Sequence, residues 1–418
     1  MSPITLLKAC SVMSLNSKKL TEFAVKVLAD SIKYRTVLGE DYEELVDYYR
    51  EVLSSYGVHV TIHRVPDEYL KKNLPVQYNP SKPRYILIAR VGSGEKVLQF
   101  NGHYDVVPPG SDWRTNPFEP VIIENKLYGR GSSDMKGGIA AFLAAMVYYA
   151  EREPSIVLEG VLVPDEEIGG LTGTGYLVRE LGSRPDWVVI AEPSGLDNVY
   201  VGHRGNLWFM VKIYGKQAHG SAPWLGDNAF EKMIIYAKEF IDKYRIRLST
   251  KKSSFEYEHP EASKPTITPG GLLISPGAVN IVPGMVGFSV DRRLIVEENI
   301  EEVFNEIREL AESISGETGI QSEIEVIEAS NPAYTSLEST IVGSLGSSIE
   351  EVLGLKPRFT ICTGGLDLRY YSEAKIEAVA YGPGAIGAAH KPNEYIDLLD
   401  LEKVINVYVG LVRKLESQ

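Results

Sequence analysis

Between Tyr85 and Ala191 the chain alternates short, largely apolar runs with stretches of helical spacing. The runs are YILIARV (85–91), KVLQFN (96–101), SIVLEGVLV (155–163) and WVVIA (187–191). A strand that is apolar along both faces has no side it can leave in water, so it needs cover above and below. Helices over Met135–Glu151 and near Thr174–Leu181 supply such cover, and the alternation predicts an α/β sheet. Gly92-Ser93-Gly94, between the first two runs, is a hairpin signal. Upstream, the spacing predicts helices over Ser17–Lys33 and Asp41–Tyr56, the latter closed by Gly57, and a strand over Val58–Val65.

From about Val201 the texture changes. Asn206–Tyr214 alternates like a half-buried strand, Asn228–Tyr244 is helical, and 249–266 is polar and loop-like. Thr268–Ser275 and Met285–Ile295 read as strands, Ile300–Ser315 as a helix and Gln321–Ala329 as a last strand. That order, β-α-β-β-α-β, is the split ferredoxin-like unit. The α/β texture then returns: a helix to Leu353, a strand at Arg358–Cys362, a helix at Leu366–Glu373, a strand at Ile376–Tyr381 and a final helix at Leu401–Glu416. The expected organisation is therefore a discontinuous domain, 1–201 plus 331–418, interrupted by an inserted smaller one, 202–330.

Length and charge narrow the function. At roughly 100–200 residues per domain, 418 residues suit two or three domains. The formal charge is −13, which repels polyanions and argues against a nucleic-acid partner. Two cysteines, Cys10 and Cys362, are too few for a disulfide scaffold and fit a cytoplasmic protein. The stretch MSPITLLKACSVMSL contains Lys8 but lacks a charged leading region and is not read as a signal peptide. The uncharged run Gly137–Ala150 is too short to span a bilayer, so no membrane partner is expected.

Histidines and acids gather at the ends of predicted strands, where open α/β sheets build their sites. The segments are NGHYD (101–105), GSSDMKGG (131–138), PDEEIGG (164–170), AEPS (191–194) and AHKPNE (389–394). Carboxylates brought together there repel one another, and burying them unpaired costs several kcal/mol each. A divalent cation removes that cost. Two imidazoles with Asp and Glu ligands suit Zn²⁺, and a shared carboxylate can bridge two ions about 3.5–4 Å apart. On a strand, His103 and Asp105 face the same way, so Asp105 is placed to hold the non-ligating ring N–H. Each piece also has a plain reading: a capped His-x-Asp pair, a solvated Glu166-Glu167 loop, a turn feeding a helix at Asp134. Their joint occurrence in one domain is what points to metal chemistry.

These motifs resemble those of the M20 metallopeptidases, a family that includes acetylornithine deacetylase, succinyl-diaminopimelate desuccinylase and glutamate carboxypeptidase. The resemblance spans nearly the whole chain, through GHYDVVPPG (102–110), LYGRGSSDMKGG (127–138), PDEEIGG, AEPS and AHKPNE. It implies a two-domain, mixed-sheet, zinc-peptidase-like catalytic domain with an inserted lid and dimerisation domain. It further implies His103, Asp134 and Glu192 on one zinc, and the bridging Asp134, Glu167 and His390 on the other. Glu166 would be the general base, Asp105 would support the ligands, and the peptide after Asp134 would be cis. In the inserted unit, GKQAHGSAP (215–223) resembles the family's dimerisation segment, whose histidine, here His219, is donated across a homodimer to the reacting carbonyl oxygen. Asn280 in AVNIVPG and Arg293 in VDRR resemble binders of a substrate carboxylate, with Gly364 and Gly365 of the 363–367 loop beside them. Read alone, Asn280 is equally a turn cap and Arg293 a surface charge.

One position departs from the family. Leu366, in TGGLD (363–367), stands where many relatives carry a hydroxyl lining the substrate pocket, which leaves the substrate open. GPGAIG (382–387) formally matches a dinucleotide fingerprint, but Pro383 removes an N–H and Pro392 breaks any following helix, so it reads as a loop that delivers His390. The expectation is a two-zinc amidohydrolase, with Co²⁺ or Mn²⁺ as substitutes, cleaving a small N-acyl amino acid of the acetylornithine or succinyl-diaminopimelate type. A metallo-carboxypeptidase or dipeptidase acting on short peptides is the alternative, and a catalytically silent binding homologue a remote one.

Overall fold

A computed structural model describes residues 17–75 and 78–418; Cys10 and the stretch MSPITLLKACSVMSL lie outside them. In chain order the elements begin α1 (Ser17–Ile32), α2 (Tyr42–Ser55), β1 (His59–Arg64), α3 (Asp67–Asn73), β2 (Tyr85–Val91), β3 (Val97–His103), β4 (Val121–Ile123), β5 (Lys126–Tyr128) and α4 (Lys136–Ala150). Next come β6 (Val157–Val163), α5 (Thr174–Arg179), β7 (Trp187–Ile190), β8 (Asn198–His203), β9 (Gly205–Tyr214), β10 (Ala218–His219), α6 (Ala229–Ser249), β11 (Thr266–Ile274), β12 (Ile281–Val282) and β13 (Met285–Leu294). The chain closes with α7 (Ile300–Thr318), β14 (Ser322–Ser330), β15 (Ala333–Tyr334), α8 (Thr340–Leu353), β16 (Arg358–Cys362), α9 (Leu368–Glu373), β17 (Glu377–Ala380), β18 (Tyr395–Asp397) and α10 (Leu398–Leu415).

These elements form two compact units. One runs to Val201 and takes in Thr335–Phe359 and Tyr370–Gln418; the other is Gly202–Tyr334 with Thr360–Arg369. The loop 360–369 thus groups with the second unit. Backbone bonds explain why: Arg204 N–H donates to Cys362 O, Ile361 N–H to Glu256 O, and Glu258 N–H to Ile361 O.

The first unit is built on a mixed sheet in the order β1-β2-β6-β3-β7-β17-β8. Its centre, β6-β3-β7-β17, is parallel, while β1, β2 and β8 pair antiparallel at the flanks. The hairpin expected around Gly92 is absent, because β6 lies between β2 and β3. Gly92 and Gly94 instead have positive φ, and a Cβ on Gly92 would sit 2.4 Å from Ile156 O. The glycines let the segment leading into β6 approach closely; they do not close a turn.

Helix α4 is apolar all round (KGGIAAFLAAMVYYA), with only Tyr148 and Ala150 less than fully buried. It lies on β3 and β6 with α1 and α10 packed beside it. Gly138, in its first turn, allows a contact no other residue could make, since a Cβ there would meet Ala191 O at 1.9 Å. The start of α4 is thereby pressed against the end of β7. The other face of β2 and β6 is covered by Val65, Leu70, Leu74 and Leu177. Emptying one such core position, as in Phe142→Ala, costs about 3–5 kcal/mol.

The second unit carries an antiparallel sheet, β11-β13-β9-β14, with α6 packed on the β9, β11 and β13 side and α7 against β14 and β9. Alternate residues of β9 (Leu207, Phe209, Val211, Ile213) meet Tyr236, Phe240 and Tyr244 of α6 and Val303, Ile307 and Leu310 of α7. Asn228 and Asn299 cap the two helices, accepting from Phe230 N–H and Glu302 N–H. Among the described residues no helix is long and apolar enough to cross a membrane.

Candidate metal centre

The parallel registers align the carboxyl ends of four neighbouring strands. His103 is level with Val163, Asn101 with Ile190, and Ile190 with Ala380. The chain therefore leaves the sheet at one edge through His103–Asp105, Pro164–Glu167, Ala191–Glu192 and Tyr381–His390. Asp134 joins them from the turn before α4, two residues from its start. The crevice outside the carboxyl ends of parallel strands is where such sheets bind ligands.

Ligand atoms of His103, Asp134 and Glu167 all lie within 4.8 Å of one another, and so do those of His103, Glu166 and Glu192. His103 Nε2 is 3.1 Å from Asp134 Oδ1 and 3.7 Å from Glu192 Oε1. On the other side of Asp134, His390 Nε2 is 3.1 Å from Oδ2, and it is 3.0 Å from Glu167 Oε2. Asp134 thus presents one oxygen to each imidazole, the disposition a carboxylate shared between two cations requires. All five expected ligands and Glu166 are brought together, and the peptide Asp134–Met135 is cis. The 382–387 segment ends in a short 3₁₀ turn, Ile386–Ala388, not in the longer helix a dinucleotide site requires; two residues on, His390 has φ 62°.

The supports of these groups differ in part from expectation. His103 Nδ1–H donates to the backbone carbonyl of Asp105 at 2.9 Å, while the Asp105 carboxylate is 3.5 Å away. β3 ends at His103, so the alternation that would have put that carboxylate on the ring stops there. The carbonyl can only accept, which keeps a proton on Nδ1 and leaves Nε2 as the atom that faces Asp134 and Glu192. The Asp105 carboxylate instead receives Glu166 N–H at 3.2 Å and Glu167 N–H at 3.1 Å, fastening the turn that carries both acids.

Glu394 has no counterpart in the expected site. It is fully buried and accepts from Arg130 Nη1 (2.6 Å) and from the N–H groups of Gly131 (3.1 Å), Ser133 (2.8 Å) and Asp134 (3.0 Å). One carboxylate thereby shapes the whole turn leading to Asp134. Lys136 was likewise passed over: its buried ammonium binds Ser31 O (2.9 Å) and Tyr34 O (3.0 Å), tying the start of α4 to the end of α1. Glu394 lies inside a quoted motif, but nothing local shows which acids of a motif turn inward.

The electrostatics describe a centre lacking positive charge. Burial opposes a charged His103, yet hydrogen bonds to Asp105 and Asp134 and the charge of Glu192 raise its pKa well above the usual value. Hydrogen bonds to Asp134 and Glu167 raise His390 to about 10 against its partial burial. Asp134, though buried, is held below the usual carboxylate range by the two histidines. Glu167 is pushed up by burial and by the Asp134 charge. The two histidine shifts have the same source, acids held close enough together to favour positive charge among them. Two imidazole nitrogens and the oxygens of three acids, Asp134 shared among them, are a donor set that fits a pair of divalent cations.

The remaining expected residues belong to the second unit. β10 pairs with β12, setting His219 opposite Ile281, and Gly220 N–H donates to Asn280 O at 2.7 Å, so His219 and Asn280 are neighbours. The exposed His219 ring accepts at Nδ1 from Ser221 N–H (3.1 Å) and lies 2.8 Å from Ser221 Oγ, which leaves Nε2 as its N–H donor. Arg293, near the end of β13, is engaged with Asp291 at 2.9 Å and stacks over Trp208. Gly364 and Gly365 lie in the loop after β16, with Leu366 buried behind them.

Comparison with known proteins agrees with this architecture. Residues 99–414 match the peptidase family M20/M25/M40. An uncharacterized metallohydrolase of Methanocaldococcus jannaschii is 30% identical, over 94% of this chain and 100% of that protein. The succinyl-diaminopimelate desuccinylase of Alkalilimnicola ehrlichii is 29% identical, over 79% of this chain and 86% of its own length. Among solved structures, an M20 family metallo-carboxypeptidase from Sulfolobus solfataricus superposes with a TM-score of 0.72 at 22% identity, covering 94% of this chain and 99% of that one. A family match over most of the chain, with its acids and imidazoles converging at the sheet edge, gives the assignment: the chain belongs to peptidase family M20/M25/M40 and is a metallohydrolase of that family.

Proposed function

We propose that this metallohydrolase is a two-zinc amidohydrolase that deacylates an N-acyl amino acid, with Co²⁺ or Mn²⁺ able to substitute. The observation that carries the reading is the shared Asp134, one oxygen toward His103 and Glu192 and the other toward His390 and Glu167, with Glu166 alongside. When bound, such ions lower the pKa of a water molecule and polarise a carbonyl. The chain supplies the rest. Glu166 takes the proton of the attacking water and passes it to the departing amine. The Asp105 carboxylate keeps Glu166 in place through its backbone N–H. His219, held as an Nε2–H donor, suits the developing oxyanion of a substrate in the partner subunit. Arg293, Asn280, Gly364 and Gly365 would hold the free carboxylate, Arg293 in exchange for part of its pairing with Asp291. The desuccinylase relatives, near 30% identity over more than three quarters of the chain, favour an acyl-amino-acid substrate.

The proposed homodimer forms through the second unit. Trp224 (77% exposed), Leu225, Phe230, Ile234, Ile235, Leu272 and Leu273 are large apolar residues left in solvent at or near α6 and β11. The opposite edge strand, β14, exposes Val326 and Ile327 but interleaves them with Glu323, Glu325 and Glu328, charges that discourage pairing. An apolar patch of this kind marks an interface.

The test is Glu166→Gln, assayed on a panel of N-acyl amino acids and dipeptides with metal content measured. Both metals should stay while turnover falls by about 10²–10⁴-fold. A metal-loaded variant keeping more than a few per cent of the parent rate would refute the role of Glu166. Activity confined to the dipeptides would assign the chain to the peptidase alternative, and inertness of the metal-loaded parent toward every member would favour a silent binding homologue.

A further inference from the structure

We propose that Arg84 is a positioning residue for the Glu166–Glu167 turn, acting through Asp165; the inference rests on the reading of Glu166 as the base. Asp165 directly precedes that turn and is held at φ 64°, in the left-handed region that non-glycine residues rarely enter. Its backbone carbonyl receives Ile168 N–H at 3.3 Å and Gly170 N–H at 2.7 Å, so it is the pivot of the turn. Its side chain is 1% exposed and enclosed by donors. Oδ2 accepts from Arg84 Nε at 2.8 Å and Thr172 Oγ1 at 2.6 Å, and Oδ1 from Tyr42 OH at 3.1 Å.

Arg84 is itself fully buried, anchored at Nη1 by Lys82 O (2.7 Å) and stacked over the Tyr42 ring. Tyr42 meets Tyr104 edge-on, and Tyr104 stands between His103 and Asp105. The turn is therefore held at two points: by the Asp105 carboxylate on its amides and by Arg84, through Asp165, at its root.

As a stabilising device alone the pair makes little sense. Desolvating two charges offsets most of their attraction, and apolar residues of similar volume serve as well or better. What the pair supplies is geometry. A planar guanidinium fixed by a carbonyl, a ring and a carboxylate permits one orientation of Asp165, and hence one path for the backbone carrying Glu166 and Glu167. Misplacing a catalytic group by an ångström costs about 100-fold in rate even when the change lies away from the chemistry.

The experiment compares the metal-loaded parent with Arg84→Gln, Arg84→Lys and Tyr42→Phe for kcat, KM and metal stoichiometry. Arg84→Gln should lower kcat about 100-fold with both metals retained and KM within about twofold, and Arg84→Lys should restore at least about tenfold of that loss. A structural role alone would lower the unfolding temperature and leave kcat per folded molecule unchanged. Should Arg84→Gln fail to fold, Tyr42→Phe decides, since it removes one donor from Asp165 and keeps the ring; a kcat about three- to tenfold lower at similar Tm is expected. A metal-loaded Arg84→Gln with kcat within about threefold of the parent overturns the inference, as does an unaltered kcat in Tyr42→Phe where Arg84→Gln does not fold. Glu166→Gln in parallel separates the two claims. If it stays active the base assignment fails, whereas an inactive Glu166→Gln beside a normal Arg84→Gln sinks the positioning role alone.

Discussion

Replacing Glu394 by Gln tests how the Asp134 turn is held. The parent carboxylate accepts four hydrogen bonds, one from the buried Arg130 and three from backbone N–H groups. Glutamine keeps the shape but has one acceptor oxygen where there were two. Its amide nitrogen must face either Arg130 or the Ser133 and Asp134 N–H groups, donor against donor. In the first orientation Arg130 would keep only the weaker hydrogen bond to Pro109 O at 3.3 Å. Breaking a buried ion pair by removing one partner costs about 3–5 kcal/mol, and each unsatisfied buried donor adds about 1–3 kcal/mol. A loss of about 4–8 kcal/mol follows, which at about 2 °C per kcal/mol for a domain of this size lowers Tm by roughly 8–16 °C. Because the same amides orient Asp134, zinc affinity should fall about 10–100-fold, as for the loss of other residues that orient metal ligands. Thermal unfolding with and without metal, together with zinc titration against a competing chelator, measures both effects. A Tm within about 2 °C of the parent together with unchanged zinc affinity would show that the turn holds itself and that the reasoning from Glu394 is wrong.

Three further outcomes are expected. His390 holds its proton up to about pH 10 in the metal-free site and must lose it to bind a cation, so metal affinity should rise with pH up to that point, with proton release measurable by calorimetry in buffers of different ionisation enthalpy; affinity independent of pH between 7 and 9 would contradict it. Burial pushes the Lys136 ammonium down to about 7. Its folded pKa lies below the unfolded one, so the parent gains stability as pH rises from about 7 to 10. Lys136→Met has no such gain, and its Tm relative to the metal-loaded parent should be highest near pH 6.5 and drop by pH 9.5; a flat difference refutes the assignment. Finally, Ile234→Glu with Ile235→Glu puts charge on the exposed α6 face and should yield monomers by light scattering with lost turnover, whereas a dimer of full activity would place the interface elsewhere.

The parts of the molecule legible in the sequence are those encoded by neighbours along the chain. Apolar runs at 85–91 and 155–163 became strands within two residues of the expected ends, because a run this rich in apolar residues on both faces is buried within a covered sheet. The five acid- and imidazole-bearing segments were legible for a related reason, since residue type at a strand end already carries the chemistry. Pairing was not legible. Gly92-Ser93-Gly94 looks like a hairpin until a strand more than sixty residues later takes the place between its arms, and β8 and the short α3 carry too little periodicity to be separated from loops. The same division runs through the centre itself. The acids and imidazoles that converge there are given by their type, but the groups that hold them are defined by partners distant in sequence: Glu394 by Arg130, 264 residues away, and Asp165 by Arg84, 81 residues away. An acid beside a ligand looks solvated until the fold brings a cation to it, and only then does burying it become tolerable. The residues that catalyse are therefore readable from their own neighbourhood, whereas those that set the geometry of catalysis become identifiable only once long-range contacts show where each buried charge is balanced.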